Sequence, residues 1–376
     1  MSKIIQIYPW IDNKELKEVA KVIQSTFLTE NKCTKKFEKK FRSITKAKYA
    51  ISINNWTMGL FCCLKALKIG KNDEVIVPDI TFIASANAVI LAGAKVVLCN
   101  VDSETLNIST SNIEKMITKR TKAIMPVHLY GNSCNMTKIL QIAKKYKLKV
   151  IEDAAQGLGV FHKKKHVGTI GDVGGFSFYG NKLITTGEGG IITTNNKKIY
   201  DEIQQLKNHG RKEKGKFIHE KIGYNFMFTD IQAAIGLAQI NKLKKIINKK
   251  LAIYKYYKTN IKRNEEIKYI KKLDKTSSVY WFTNIITKQA IKLKKFLSKK
   301  NIETRNCFYP LSLQPCYDNN NDIIKKYVNR ENSLKIYKSL LSLPSATQIN
   351  KNELNKVIKN INSFYEKKNK TISKFS

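Results

Sequence analysis

Arginine is scarce in this chain. Only six of its 69 basic residues are arginine, set against 29 acidic residues and a formal net charge of +40. A charge that large raises the question of nucleic-acid or membrane binding. Proteins that read bases and phosphates, however, lean on the guanidinium fork. Here lysine is spread over every segment together with abundant Asn and Ile. The balance reads as drift in composition, as in an AT-rich coding sequence, with the corollary that a positive surface attracts anionic ligands. Proline is rare too, at 6 residues, and no repeat or low-complexity linker interrupts the chain. Long apolar runs are missing. The longest, 84–98, is broken by Asn87, Gly93 and Lys95, which supports no membrane span. The opening MSKIIQIYPW has no apolar leader region. None of the seven cysteines forms a Cys-x-x-Cys pair, which points to free thiols in a reducing cytoplasm.

What is present is an alternating pattern. With 376 residues, 42% of them hydrophobic, the chain can bury a large core. Strand-like runs at 48–53, 75–77, 95–100, 122–127 and 148–152 alternate with helical patterns at 57–68, 81–92, 112–119 and 135–146. This predicts an α/β fold with a mostly parallel sheet covered on both faces. Two short strands follow within 172–195, then helices at 196–208 and 228–260. Beyond them lie a strand at 279–287 and helices near 289–299, 322–341 and 351–366. Two domains are expected: residues 1–261, beginning with an N-terminal arm of ~30 residues, and a smaller α+β domain over 262–376. The runs KKK (163–165) and KKNK (367–370) read as a hairpin turn and a frayed tail. Gly168, Gly171 and Gly174 recur at intervals of three, but no strand–turn–helix unit with a later acid surrounds them, so a dinucleotide fingerprint is a poor reading.

The chemistry centres on Lys182. It stands in Gly-Phe-Ser-Phe-Tyr-Gly-Asn-Lys (175–182), followed by Leu-Ile-Thr-Thr-Gly-Glu-Gly-Gly. An amine held on a tight, Gly-rich turn is placed for covalent chemistry. Upstream, the apolar run 148–151 ends in the acids of Ile-Glu-Asp-Ala-Ala-Gln (151–156). A strand ending in an acid, a serine on a neighbouring strand and a lysine on a turn meet the needs of a pyridoxal phosphate (PLP) site: an acid for the pyridine nitrogen, a hydroxyl for the phosphate, an amine for the covalent link.

The stretches FLTENKCTKKFEKKF (27–41), DEVIVPDITFIASANAVILAGAKVVLCNVD (73–102), TKAIMPVHLYGN (121–132), KVIEDAAQGLG (149–159), VGTIGDVGGFSFYGNKLITTGEGG (167–190), HEKIGYNFMFTDIQAAIGLAQI (219–240) and IETRNCFYPLSLQPCY (302–317) run almost end to end. Together they resemble the DegT/StrS-type nucleotide-sugar aminotransferases, PLP enzymes of fold type I, and are most similar to the perosamine synthase branch, which aminates C4 of a 4-keto-6-deoxy sugar. The resemblance implies a homodimer with shared sites, glutamate as donor, and Lys182 as the catalytic, cofactor-bearing residue. It implies Asp153 on the pyridine nitrogen, Gln156 on the phenolic oxygen, Phe82 stacked on the ring, and Ser177 on the phosphate. The amides of Thr57 and Met58 would join Ser177 at a helix start, and Asn225 would reach the phosphate of the other subunit. His128, Glu188, Tyr309 and Ser312 are carried over as substrate-side residues. Each has a plainer reading: Asp153 as a helix cap, Gln156 as a surface amide, Phe82 as core, Ser177 as a backbone partner, His128 as structural, Glu188 as a turn acid. The family's dehydratases carry His at the position of Lys182, which sets this chain apart from them.

Three positions depart from the pattern. Trp56 stands where the family has Gly in Asn-Gly-Thr, Met227 replaces a basic residue, and Ser312 replaces His in Pro-Leu-His-Leu-Gln-Pro. At a phosphate cradle the Trp56 indole either swings out to pack elsewhere or narrows the cradle and weakens cofactor binding, and the second is expected. Alternatives to the perosamine-type activity are a UDP- or dTDP-linked viosamine-type 4-aminotransferase, a PLP-binding regulator, and a non-catalytic PLP-binding homologue.

Overall fold

A computed structural model describes residues 3–213, 215–262, 266–318, 322–326 and 328–372. The N-terminal segment holds two helices, α1 (Asn13–Gln24) and α2 (Lys32–Thr45), the first closed by a capping box between Asp12 and Glu15. Strands and helices then alternate: β1 (Tyr49–Ile53), α3 (Trp56–Ala66), β2 (Glu74–Pro78), α4 (Ala84–Leu91), β3 (Lys95–Cys99), α5 (Thr110–Met116), β4 (Thr121–Ile124), α6 (Met136–Lys145) and β5 (Lys149–Asp153). A hairpin, β6 (Phe161–His162) and β7 (Lys165–His166), turns at Lys163, whose φ is 56°. It is followed by β8 (Val173–Ser177), β9 (Gly190–Thr194), α7 (Lys197–Lys207) and the long α8 (Asp230–Asn260). The remainder comprises β10 (Lys268–Tyr269), β11 (Thr283–Ile286), α9 (Ala290–Ser298), β12 (Arg305–Asn306), β13 (Ile324–Lys326), α10 (Arg330–Ser339), β14 (Leu340–Leu343) and α11 (Lys351–Ile372).

Eight strands form one sheet in the order β1-β9-β8-β5-β4-β2-β3-β13. Only β9 runs against the rest, pairing antiparallel with β1 and β8. Strands β2 to β5 and β9 bury nearly every residue, as expected for a sheet covered on both faces. A second sheet, β10-β11-β14-β12, is antiparallel and drawn wholly from residues beyond 262.

Two expectations give way. The segment 322–341 is not one helix. Its start, β13, pairs in parallel with β3, Ile324 opposite Val96 and Lys326 opposite Leu98, and only Arg330–Ser339 is helical. The open edge of β3 offers a ladder of backbone hydrogen bonds, and that outweighs a weak helical pattern. The run 367–370 continues α11, which reaches Ile372, since lysine is itself a good helix former.

Candidate active site

The carboxyl ends of β1, β5 and β8 open on one cleft of ≈ 580 Å³, the place where open α/β sheets hold ligands. Each strand delivers one wall. After β1 the chain turns into α3, with Asn55 as the cap: its Oδ1 accepts from Met58 N at 3.0 Å. The Met58 amide is thereby committed, against the expectation that it serves as a free donor. The amides of Trp56 and Thr57 have no protein acceptor among the described residues, and Thr57 lines the cleft.

At the end of β5, Asp153 is buried, with 5% of its surface exposed. Its Oδ1 accepts from Trp56 Nε1 at 2.9 Å and from Ala155 N at 3.1 Å; its Oδ2 accepts from Ser85 Oγ at 2.7 Å. A carboxylate offers about four lone-pair positions. With three donors in place, one position remains for a donor from the cleft. Gln156 accepts from Tyr130 N at 2.6 Å through Oε1, and its side-chain nitrogen is left for the cleft it lines.

Strand β8 alternates as the sequence suggests: Phe176 and Phe178 are buried in the core while Ser177 lines the cleft. The loop after it folds back on Phe178, whose carbonyl accepts from Thr186 N at 3.0 Å and Thr185 Oγ1 at 2.9 Å. That loop carries Lys182, anchored by its own N–H on Tyr179 O at 2.9 Å. The Lys182 amine sits 4.4 Å from the centre of the Trp281 ring, and among the described residues it has no hydrogen-bonding partner. Burial lowers its pKa to about 8, against a smaller opposing pull from Asp153. Phe82, 56% exposed, stands on the wall with its ring 6.2 Å from that of Phe308.

Seven of the expected residues thus share one cleft: Thr57, Phe82, Asp153, Gln156, Ser177, Lys182 and Glu188. Others lie elsewhere. His128 is fully buried; its Nε2 meets Glu152 Oε2 at 3.0 Å and its Nδ1 accepts from Cys134 N at 3.1 Å. Glu152 also accepts from the amides of Gly168, Ile170 and Gly171. Burial pushes its carboxyl up, but His128 and those amides outweigh this and hold it below the usual carboxylate range. His128 therefore braces the sheet beneath the site and does not line the cleft. Ser312 is buried as well, its N and Oγ both donating to Asp79 at 2.7 and 2.9 Å. Tyr309 packs edge-on against Tyr337, and Asn225 is exposed, paired by a β-bridge to Asn208.

Sequence reasoning missed several walls. Ser85 and Trp56 hold Asp153; Trp281, Arg305, Asn306 and Phe308 close the cleft from the C-terminal segment. The expected crowding by Trp56 does not occur. Its indole turns inward and is buried, its six-membered edge set against Gly59 and Gly175. A Cβ on either glycine would come within 2.5 and 2.3 Å of the ring, so the pair of glycines makes the slot. The donor set fits PLP: a lysine amine, a buried carboxylate with one open position, an exposed aromatic ring, and a hydroxyl beside two free helix-start amides.

Comparison with known proteins agrees with this geometry. The profile of the DegT/DnrJ/EryC1/StrS aminotransferase family matches residues 9–362. The GDP-perosamine synthase of Escherichia coli O157:H7 is 39% identical over 371 residues, 97% of this chain and 100% of that protein. That of Caulobacter vibrioides is 38% identical over 317 residues, covering 82% and 85% of the two chains. Among solved structures, the putative sugar aminotransferase Spr1654 from Streptococcus pneumoniae, in its PMP form, superposes with a TM-score of 0.92 at 25% identity over 99% of this chain and 100% of that one. A lysine turn facing a strand-end aspartate, within a match that spans nearly the whole chain, has one reading: this protein is an aminotransferase of the DegT/DnrJ/EryC1/StrS family.

Proposed function

We propose that the protein moves an amino group from glutamate to C4 of a nucleotide-linked 4-keto-6-deoxyhexose, with PLP held by the residues of the cleft. The carrying observation is the Lys182 amine, free of hydrogen-bonding partners among the described residues and with its pKa drawn to about 8, facing a cleft that Asp153 also lines. The end-to-end likeness to GDP-perosamine synthases supports the sugar class. When bound, PLP supplies an electron sink for the carbon that gains or loses nitrogen.

The chain's own residues do the rest. Asp153 would accept from the pyridine nitrogen, Gln156 would donate to the phenolic oxygen, and Ser177 with the Thr57 amide would receive the phosphate at the α3 start, where the helix dipole favours an anion. Lys182 moves a proton at the reacting carbon in each half of the exchange, and an amine with a pKa near 8 exists in both forms near neutral pH. Arg305, the cation among the C-terminal lining residues, suits the anionic nucleotide sugar.

Asn225 supports a dimer with shared sites. It does not line the cleft of its own chain. The nearby Phe217, Ile218 and Ile222 are 82%, 71% and 87% exposed, an apolar surface that a second subunit would cover. A cytoplasmic setting is in keeping with seven unpaired cysteines; no helix among the described residues is long and apolar enough to cross a membrane.

The test is a panel of GDP-, UDP- and dTDP-linked 4-keto-6-deoxyhexoses with glutamate, read by mass spectrometry. The expected result is one sugar gaining an amine while 2-oxoglutarate forms in equal amount. A deoxygenated product without nitrogen would refute it. For the dimer, mixing Lys182→Ala and Asn225→Ala chains should restore part of the activity, because one site of each mixed dimer keeps both residues.

A further inference from the structure

The position of Trp56 has chemical consequences. It opens α3, so its backbone stands at the end of the cleft where a phosphate would lodge. Its side chain reaches the other end, where Nε1 donates to Asp153 Oδ1 at 2.9 Å. One residue thus spans both anchor points of the cleft. The ring is closely held: it lies where a side chain on Gly59 or Gly175 would begin, and only 5% of the residue is exposed.

We propose that Trp56 is a positioning residue, whose indole N–H fixes the Asp153 carboxylate so that its remaining lone pair points into the cleft. The inference rests on the reading that Asp153 faces a pyridine nitrogen. Without the indole, Asp153 Oδ1 keeps only the Ala155 amide at 3.1 Å, from its own backbone turn. Ser85 Oγ secures the second oxygen and is itself 3.3 Å from Thr81 Oγ1. A carboxylate pinned at both oxygens by donors from α3 and α4 cannot rotate about its last bond. Asp153 would then offer a pyridine nitrogen a fixed acceptor, the arrangement that strengthens a charged hydrogen bond. The bland reading is that a buried indole N–H simply needs some acceptor. The two readings differ in what the carboxylate does once the N–H is gone.

Trp56→Phe keeps an aromatic ring in the slot and deletes the donor. Two measurements that do not depend on turnover follow: the PLP dissociation constant of the apo-protein, and the pH midpoint of the visible band after reconstitution. Trp56→Phe should weaken PLP binding about five- to tenfold, a part of what one hydrogen bond to a charged group is worth, since the lost bond acts on PLP only through Asp153, and shift the spectral midpoint. In an Asp153→Asn background the same change should alter PLP binding less than twofold. A Trp56→Phe protein with a lowered melting temperature but an unaltered dissociation constant and spectral midpoint overturns the proposal. If that variant does not fold, the indole ¹⁵N–H resonance of the unsubstituted chain decides. It should move on PLP addition, and a resonance that stays fixed refutes the role. A wild-type chain that takes up no PLP defeats the cofactor reading itself, and this inference with it.

Discussion

Two lysines meet Trp281, one at its ring and one at its backbone carbonyl, and they differ in hydrogen bonding and in access to the cleft. Lys182 lies over its ring, facing the cleft, with no hydrogen-bonding partner among the described residues. Lys250, on α8, is 3% exposed and donates to the carbonyls of Trp281 and Ser345 at 2.9 and 2.5 Å. Burial lowers both pKa values, to about 8 and about 7. A depressed pKa therefore does not by itself mark a reactive amine. What distinguishes Lys182 is an unsatisfied amine and an open path for a reactant. Lys250 is a strut: its amine donates to two carbonyls, and it ties α8 to the segment that presents Trp281.

The sharpest way to break this comparison is to remove each amine in turn. Lys182→Ala should lower turnover by at least ~10³-fold, the scale of losing a covalent and proton-transferring group. Borohydride reduction of the PLP-saturated wild type, followed by peptide mapping, should place the pyridoxyl group on Lys182 and leave Lys250 unmodified. A label on Lys250 would reverse the assignment.

Lys250→Met should act on stability. It leaves two buried carbonyls without a donor, each costing ~1–3 kcal/mol, with part of that returned because no amine need be desolvated. A net loss of ~2–4 kcal/mol in urea unfolding is expected, with PLP still taken up on Lys182. The sign with pH follows from the depressed value. A folded-state pKa of about 7, below an unfolded value of 10.5, means that the unfolded chain holds more protons between those limits. The penalty is full below pH 7 and is relieved as pH rises toward 10.5. The stability gap between wild type and Lys250→Met should widen over that window, and a gap independent of pH would show that Lys250 is not desolvated.

The contrast also separates what was legible in the sequence from what was not. The floor of the cleft could be read because its parts are contiguous: Asp153 and Gln156 lie one turn apart, and Ser177 precedes Lys182 by five residues. The upper wall could not. Trp281, Arg305 and Phe308 arrive from 99 or more residues beyond Lys182 in the chain, and no local periodicity announces such a contact. Substrate-side residues suffered most. His128 and Ser312 sit close in sequence to residues that line the cleft, yet their polar atoms are consumed by Glu152, Cys134 and Asp79. Lys250 left a fainter trace. It shares the face of α8 that buries Ile246, Ile253 and Tyr257, and a lysine on an apolar helical stripe is a signal that a chain with so many lysines hides. Helix α1 sits in the region read only as an arm and α2 just beyond it, both missed because their patterns are short and heavily charged.

The last and smallest effect concerns the rate at which apo-protein takes up PLP. Only a neutral amine attacks a carbonyl. With Lys182 at about 8, the neutral fraction rises about tenfold between pH 7 and pH 9 and then levels. Covalent uptake, followed by the growth of the visible band after mixing, should trace that curve. An unshifted lysine would give a rate still climbing past pH 10. Lys250→Met should leave the midpoint near 8, because its amine is engaged by the backbone carbonyls of Trp281 and Ser345. A midpoint that moves in that variant would mean the two amines are coupled through Trp281, and the distinction between reactive lysine and strut would have to be redrawn.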